Sequence, residues 1–190
     1  TFIFAYRTRS QRDQLQVLAT RDPLTGARNR RAMDDEMKIA VSSKRRHGKS
    51  YGVLAMDLDH FKQINDRFGH KAGDLVLIEF VDLIKRCSRK EDRLFRFGGE
   101  EFLLLLPDTQ LEGLQAAANN LVQQVRNALQ SPGGTVTVSI GGAVLRTDES
   151  QESWLQRADQ CLYKAKSAGR DRYFIDEPLE TPLDSPSLKP

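Results

Sequence analysis

The sequence is poor in cysteine and histidine. It has two cysteines, Cys87 and Cys161, and three histidines among 190 residues. The cysteines lie far apart and form no CxxC or Cys/His cluster, so the sequence lacks the ligand spacing of a structural zinc site. We expect reduced, structural thiols in a cytoplasmic protein. His60 and His70 are too few for a transition-metal site, and we interpret them as structural or incidental lining residues.

Long hydrophobic runs are also missing. The apolar stretch at residues 1–6 is too short to span a bilayer, which needs about 20 residues. Arginines follow it, which is typical of the cytoplasmic exit of a membrane helix. We therefore predict a linker helix over residues 1–20, at the cytoplasmic end of a membrane or signalling segment in a longer parent protein. The alternative is the apolar end of a soluble linker helix. Leu15 and Leu18 would allow a short coiled coil with a second copy.

The charge is nearly balanced. The 29 basic and 26 acidic side chains leave a net charge of +3, which does not by itself indicate a nucleic-acid or membrane partner. We see no basic stripe with interleaved aromatic residues, so no nucleic-acid partner is expected. The length and the 39% hydrophobic content suit one domain, predicted over residues 21–176. Residues 177–190 form a Pro-rich tail that we expect to be disordered.

Hydrophobic periodicity predicts alternating helices and strands. Helices are expected at about 28–47, from 60 to a break at 69–73, from 74 to 86, at 111–130 and at 151–168. Strands are expected at 51–59, 93–97, 101–106, 133–145 and 173–175. The predicted fold class is α/β, with a mixed, mainly antiparallel sheet of about five strands flanked by helices. A hairpin within this order does not fit a doubly wound Rossmann sheet.

Carboxylates stand at the ends of two apolar strands. Asp57 and Asp59 end the run "YGVLAMDLD". In "RFGGEEF", Glu100 and Glu101 are followed by Phe102, after which come four leucines. A Gly-Gly pair suits a tight hairpin with positive φ at both central positions, but that turn needs no acids. Isolated carboxylates beside buried surface are costly unless they are paired or bound to cations. Oxygen ligands without His or Cys favour Mg²⁺ or Mn²⁺, and such ions suggest phosphoryl transfer.

Five ordered motifs now carry a family resemblance. They are "DPLTGARNRR" at 22–31, "DLDHFKQINDRFGHKAGD" at 57–74, "GGEEF" at 98–102, "SIGGA" at 139–143 and "ADQCLYKAKSAGRDR" at 158–172. The chain resembles the GGDEF domain family of diguanylate cyclases, in its GGEEF variant. The departures from the family pattern are Ala27, Gly142 and Cys161, where Leu, Val and Ala are common. None of them stands at a position expected to do chemistry.

The resemblance implies a palm-like nucleotidyl cyclase fold and a reaction. Two GTP molecules, one in each half-site of a homodimer, would condense to cyclic di-GMP and two pyrophosphates. Two Mg²⁺ or Mn²⁺ ions per half-site would be held by Asp57, the Leu58 carbonyl, Glu100 and Glu101. Glu100 is the expected proton acceptor for the 3′-hydroxyl, although the division of roles between the two glutamates stays open.

The resemblance also implies the substrate contacts. Asn65 and Asp74 would read guanine, and the alternative for Asp74 is a helix N-cap. The triphosphate would lie on the backbone of Phe61 and Lys62 and on the side chains of Lys166 and Arg170. The alternative for Lys166 and Arg170 is a solvated basic helix end. The remaining contacts are expected from the backbone of Gly98 and Gly99.

Arg89 and Asp92 fit the RxxD inhibitory motif of the family. Asp92 stands six residues before Gly98, as the family spacing requires. This resemblance implies a site for cyclic di-GMP as product and allosteric inhibitor. RxxD is frequent by chance in so charged a stretch, and the alternative is a solvated helix end and loop.

Two functions therefore stay open at this point. As an enzyme, the chain would be the cytoplasmic domain of a bacterial protein, with the parent anchored in the inner membrane or soluble. As a sensor, it would bind GTP or cyclic di-GMP without turnover. A complete set of motif residues favours the enzyme, and a palm acting on nucleic acid lacks support in the sequence.

Overall fold

The computed structural model describes residues 19–177. The predicted linker at 1–20 and the predicted tail at 177–190 therefore lie outside these residues, apart from positions 19, 20 and 177. The elements in chain order are α1 (Arg30–His47), β1 (Tyr51–Leu58), α2 (Phe61–Phe68), α3 (His70–Cys87), β2 (Arg93–Gly98), β3 (Glu101–Pro107), α4 (Leu111–Ala128), β4 (Gln130–Ser131), β5 (Gly134–Thr135), β6 (Val138–Val144), α5 (Gln151–Ser167) and β7 (Tyr173–Asp176).

The main sheet has five strands in the order β2-β3-β1-β6-β7. β1 lies at its centre and pairs antiparallel with both β3 and β6, whereas β6 and β7 are parallel. The β2–β3 hairpin forms one edge. The predicted mixed, mainly antiparallel five-stranded α/β fold is confirmed.

Helices cover both faces of the sheet, which explains the continuous apolar runs of β1 and β3. Successive side chains of a strand point to opposite faces. Leu54 and Met56 accordingly belong to a core shared with α2, α3 and α4. Val53 and Ala55 belong to a second core shared with α1 and α5. In the part of the chain that is described, no helix is long and apolar enough to cross a membrane.

Two glycines of β6 bring α5 close to the sheet. A Cβ at Gly141 would lie 2.0 Å from the backbone nitrogen of Leu162 in α5, so only glycine fits there. A Cβ at Gly142 would lie 2.6 Å from side-chain carbons of both Leu54 and Ile175. Leu54 and Ile175 thus fill the space that a valine side chain at position 142 would need, which explains the glycine there.

The helix after β1 breaks at one residue rather than across 69–73. Gly69 has φ 83°, and α3 begins at His70. The alternative interpretation of Asp74 as a helix N-cap is therefore wrong, because Asp74 lies inside α3. The prediction failed because Gly73 was taken as a helix breaker, although it stays helical and packs against Asn65.

The predicted strand over 133–145 is divided. Gln130–Ser131 and Gly134–Thr135 form a small separate hairpin, and β6 begins only at Val138. Pro132 and Gly133 form its turn, since proline and glycine suit a reversal of the chain. The β-branched residues predicted extended backbone correctly but could not show which strands they join.

Candidate active site

Asp57 and Glu101 face each other at the end of the two central strands. Their Cα atoms are direct partners in the β1–β3 ladder. By alternation both side chains lie on the face covered by α1 and α5, since Ala55 and Leu103 pack there. Asp57 is 9% exposed, whereas Glu101 is exposed. The sequence places carboxylates at the ends of two apolar strands, and the structure brings this pair together as strand neighbours.

The electrostatics of this pair favour a bound cation. Burial raises the pKa of Asp57 above its ordinary value, and the charges of Glu100 and Asp59 add to this, while Lys166 opposes it. Burial likewise raises the pKa of Glu101, with the charge of Asp57 as the next cause. A hard divalent cation would stabilise the charged form of both carboxylates.

Lys166 supplies positive charge to this pair. Its Nζ lies 2.7 Å from Oδ2 of Asp57, and a third of its side chain is exposed. The close approach of α5 over Gly141 brings the last turn of the helix to the end of β1. Lys166 was predicted to contact a triphosphate, and it is placed at the site, with Asp57 as its partner.

Glu100 lies in the turn of the hairpin. β2 runs through Gly98, so the two turn residues are Gly99 and Glu100, and of the two glycines only Gly99 has positive φ, at 51°. The predicted Gly98-Gly99 turn with two positive φ angles is wrong by one residue, because a bulge between Arg96 and Gly98 shifts the register. The shift places Glu100 at the tip, with its carbonyl 3.4 Å from the amide nitrogen of Leu58.

The oxygen atoms available at this site are of the kind that binds magnesium or manganese. Across residues 19–177, no three His, Cys, Asp or Glu side chains come together closely enough to form a metal cluster. The two carboxylates that do meet supply oxygen atoms, and the backbone of Leu58 adjoins them. Hard oxygen ligands of this kind suit Mg²⁺ or Mn²⁺, which keep several waters in their shell.

Asn65 and Asp74 lie on neighbouring helices, across the break at Gly69. The side chain of Asn65 packs over Gly73, because a Cβ at Gly73 would lie 2.0 Å from its Oδ1. Asp74 is the next residue of α3. The structure therefore places the Asn65 amide against the residue that precedes Asp74. Gly73 was not predicted as a site residue, although its position beside Asp74, a predicted base-reading residue, could have indicated it.

The start of α2 is open to an anion. Phe61 and Lys62 are its first two residues, and no side chain caps this end. His60 precedes them in the left-handed conformation, with φ 57°. The first amides of a helix have no partner within the helix, so they are free to bind phosphate. The structure places these residues directly after the end of β1.

Arg89 and Asp92 lie in the loop between α3 and β2. The Asp92 carboxylate accepts a 2.7 Å hydrogen bond from the Arg89 backbone, and burial raises its pKa. A cavity of about 260 Å³ adjoins them. Its basic lining residues are Arg21, Arg28, Lys85, Arg89, Lys90 and Arg93. The RxxD residues thus border a positively charged cavity, of which the sequence indicated only two members.

Two residues outside the predicted set support the hairpin. Arg96 donates from Nε and Nη2 to the Gly99 carbonyl, at 2.9 and 2.8 Å. Its Nη1 lies 2.9 Å from the Asp22 carboxylate. Asp22 was identified only as part of the motif at 22–31, and its distance along the chain from Arg96 gave no signal of contact.

Comparison with known proteins agrees with this arrangement. The family profile described as "Diguanylate cyclase, GGDEF domain" matches residues 19–172. The chain belongs to the GGDEF domain family. It is 41% identical over 170 residues to diguanylate cyclase DgcP of Pseudomonas aeruginosa, covering 86% of this chain and 25% of that protein. It is 39% identical to diguanylate cyclase DgcM of Escherichia coli K12, covering 84% of this chain and 39% of that one.

Solved structures resemble this GGDEF domain over most of its length. The crystal structure of the coiled coil and GGDEF domain of DgcB from Caulobacter crescentus, in complex with c-di-GMP, superposes with a TM-score of 0.86 at 30% identity. The match covers 92% of this chain and 95% of that one. The present chain spans a quarter of DgcP and about two fifths of DgcM, so it corresponds to one part of those longer proteins.

Proposed function

We propose that this GGDEF domain is a diguanylate cyclase that condenses two GTP into cyclic di-GMP and two pyrophosphates. The observation that carries the proposal is the pairing of the buried Asp57 with Glu101 at the strand ends, beside Lys166. A sensor of nucleotide would not need adjacent carboxylates whose pKa values are raised by burial and by neighbouring acidic side chains. The names of the curated relatives support the same activity.

Each half-site in this proposal binds one GTP, and two copies of the domain face each other. The 3′-hydroxyl of one nucleotide attacks the α-phosphate of the other, a new P–O bond forms, and the bond to pyrophosphate breaks. Glu100 accepts the hydroxyl proton in this proposal, because it stands at the tip of the hairpin, which would face the nucleotide of the second copy. The reaction repeats with the roles exchanged, which closes the ring.

Mg²⁺ or Mn²⁺, two per half-site, would be held by Asp57, the Leu58 carbonyl, Glu100 and Glu101. When bound, the ions neutralise phosphate charge and lower the pKa of the attacking hydroxyl. The surrounding protein groups then have binding tasks. Amides of Phe61 and Lys62 and the side chains of Lys166 and Arg170 hold the triphosphate. The backbone of Gly98 and Gly99 lets the nucleotide approach the hairpin closely.

Guanine is proposed to lie against Asn65 and Asp74. A carboxylate accepts from both N1–H and the exocyclic amine of guanine, a donor pair that adenine lacks. An adenine nucleotide would leave Asp74 unpaired, so the site discriminates strongly against ATP. The packing of Asn65 over Gly73 supports this proposal, because it holds the amide against the residue that precedes Asp74.

Cyclic di-GMP is proposed to bind the basic cavity at Arg89 and Asp92 and to inhibit the enzyme. Arginine recognises phosphate or the acceptor edge of guanine with two hydrogen bonds, and Asp92 receives guanine donors. Six basic residues around about 260 Å³ supply charge for two phosphates. GTP is a cytoplasmic nucleotide, so the proposal places the domain in the cytoplasm of a bacterium.

The direct test is incubation of the chain with GTP and Mg²⁺, with chromatographic analysis of the products. We expect cyclic di-GMP and pyrophosphate, no product from ATP, and loss of turnover in Glu100→Gln with nucleotide binding retained. The rate should rise more steeply than linearly with protein concentration, because one copy holds half of the site. Tight GTP binding without product at high protein concentration would instead establish the sensor.

A further inference from the structure

The carboxylate of Asp59 is buried where three segments meet. Asp59 is 5% exposed. Its Oδ2 and Oδ1 accept hydrogen bonds from the hydroxyls of Thr137 and Ser139, each at 2.7 Å. Its Oδ2 also accepts from the backbone nitrogen of Asp171 at 3.0 Å. A buried carboxylate is stable only with such partners, so these bonds tie the end of β1 to β6 and to the loop after α5.

The loop after α5 has an uncommon backbone. Gly169, Arg170 and Asp171 have φ 110°, 62° and 50° in succession. Residues with side chains rarely adopt positive φ, and they keep it only where their surroundings hold them. The bond from Asp171 to Asp59 is one such restraint. Arg126 of α4 supplies another, donating to the Asp171 carboxylate at 2.7 Å and to its carbonyl at 3.1 Å.

The restrained loop leaves one cation available. The backbone nitrogen of Arg170 donates to the carbonyl of Ala165 at 3.0 Å. The carbonyl of Arg170 accepts from Nε of Arg172 at 2.8 Å. Within residues 19–177, the Arg170 guanidinium itself has no hydrogen bond or ion pair. Lys166, one turn earlier, lies against Asp57. The loop thus holds its main chain against Asp59 and leaves the donors of the Arg170 side chain unused among residues 19–177.

We propose that Asp59 is a positioning residue for the triphosphate. With Arg126 it holds residues 169–171 in the conformation that presents Arg170 beside Lys166. The identity of the ligand rests on the proposed function. Both oxygens of Asp59 are already engaged by donors of β6 and the loop, so Asp59 acts through Arg170 and does not itself touch the nucleotide.

Substitution of Asp59 separates positioning from charge. Asparagine keeps one oxygen for the Asp171 amide. Its NH₂ group can donate to the Ser139 hydroxyl, so that this hydrogen bond keeps its position and only the donor and acceptor exchange roles. Alanine removes every bond. We expect Asp59→Ala to weaken binding of a non-hydrolysable GTP analogue with Mg²⁺ by about tenfold, and Asp59→Asn by less than about threefold. Equal losses in the two variants would show that the charge is required and would overturn the proposal, as would no loss in either.

A double-mutant cycle tests the route through Arg170. Arg126→Ala lies on another helix and should raise the dissociation constant for the analogue and the KM for GTP by about three- to tenfold, with kcat less affected. The same substitution in an Arg170→Ala background should have no further effect. Additive losses would overturn the proposal. Arg46→Ala removes an exposed arginine from α1 and controls for net charge.

The outcomes distinguish this inference from the proposed function. If Asp59→Ala does not fold, the Arg126 and Arg170 cycle decides by itself, since Arg126 is half-exposed and its loss leaves the core intact. A wild-type chain that does not bind the analogue would overturn the proposed function and the ligand named here. A wild-type chain that binds it and shows an additive cycle would overturn the positioning role alone.

Discussion

Arg96 and Asp22 form a salt bridge that joins the hairpin to a segment 74 residues earlier in the chain. Both side chains are largely buried, at 13% and 18% exposure. The same guanidinium donates twice to the carbonyl of Gly99, the residue before Glu100. The position of Glu100 in the turn therefore depends on one arginine held from the opposite side by Asp22.

Replacement of Arg96 should reduce turnover more than substrate binding. Lysine cannot make the forked contacts to Gly99 and Asp22 together, so the turn loses its support. We expect Arg96→Lys to lower kcat by about tenfold, with KM for GTP changed less than threefold, because a misplaced proton acceptor weakens the transition state alone. Steady-state kinetics at saturating protein measure both. Asp22→Asn should have a smaller effect, since the bonds to Gly99 remain, and a larger one would contradict this assignment.

Asp22 also has a defined pH dependence. Burial alone would raise its pKa, but hydrogen bonds from Thr25 and Arg96 outweigh burial and hold the pKa below the ordinary value. An acid with a lowered pKa in the folded state contributes stability above its unfolded pKa, and loses it as the pH falls through the folded value. The destabilising effect of Asp22→Asn should therefore be present at pH 7 and disappear in acid. Urea unfolding at the two pH values measures the difference.

Asp57 is expected to lower the free energy of unfolding of the chain without nucleotide, although the proposed reaction requires it. Its pKa is raised by burial, so the folded chain binds more protons than the unfolded chain between the two pKa values, and stability falls as the pH rises through that window. Asp57→Asn should raise Tm at pH 7.5 by roughly 2–4 °C for a domain of this size, and the gain should vanish below about pH 4. It should also abolish cyclisation. Thermal unfolding without nucleotide measures the first effect.

The control for this prediction is Asp82→Asn on the exposed side of α3, which should change Tm little. GTP with Mg²⁺ should raise the Tm of the wild-type chain and not that of Asp57→Asn. A less stable Asp57→Asn at pH 7.5 would show that the pairing with Lys166 outweighs burial.

Gly73 is predicted to set the place of Asn65. In Gly73→Ala the new Cβ would lie 2.0 Å from Asn65 Oδ1, so the amide must move. We expect GTP binding to weaken by about tenfold, and discrimination against ATP to fall, because the polar site for guanine is disturbed. Competition binding with GTP and ATP measures both quantities.

Gly113→Ala is the matched control in α4. A Cβ there meets only the Thr109 methyl carbon at 3.4 Å, within ordinary reach. That substitution should stabilise the chain by about 0.5–1 kcal/mol through helix propensity and leave GTP binding unchanged. Unchanged binding in Gly73→Ala would remove Asn65 from the proposed guanine site.

The sequence was sufficient to predict the strands and the carboxylates at their ends. Both follow from local information, since a continuous apolar run predicts a strand buried on both faces. The meeting of Asp57 and Glu101 required the further condition that the two strands are neighbours, which the structure supplies. The bridges from Arg96 to Asp22 and from Asp59 to Ser139 could not be predicted. Each joins residues more than 70 positions apart, and a single sequence carries no distances between them.

Local propensity also misled at two glycines. Gly73 was read as a helix break because glycine is costly in a helix, but packing against Asn65 outweighs that cost. Gly98 was placed in the turn because Gly-Gly suits a hairpin, but the bulge before it moves the turn to Gly99 and Glu100. In both places tertiary contacts decided between conformations that glycine permits equally.

Arg89 provides the last prediction, that product inhibition is separable from catalysis. Arg89 lies at the basic cavity between α3 and β2, whereas Asp57 and Glu101 lie at the strand ends. Arg89→Ala should weaken cyclic di-GMP binding by about 10- to 100-fold, since a charge-assisted hydrogen bond contributes about 1.5–3 kcal/mol. Its initial rate with GTP should stay within about twofold of wild type, because no substrate contact is lost.

Arg86→Ala is the control for Arg89→Ala. It removes a neighbouring exposed arginine outside the cavity lining and should leave inhibition intact. Equal inhibition of wild type and Arg89→Ala would mean that the product acts elsewhere, and calorimetry with cyclic di-GMP would then show unchanged affinity in this variant.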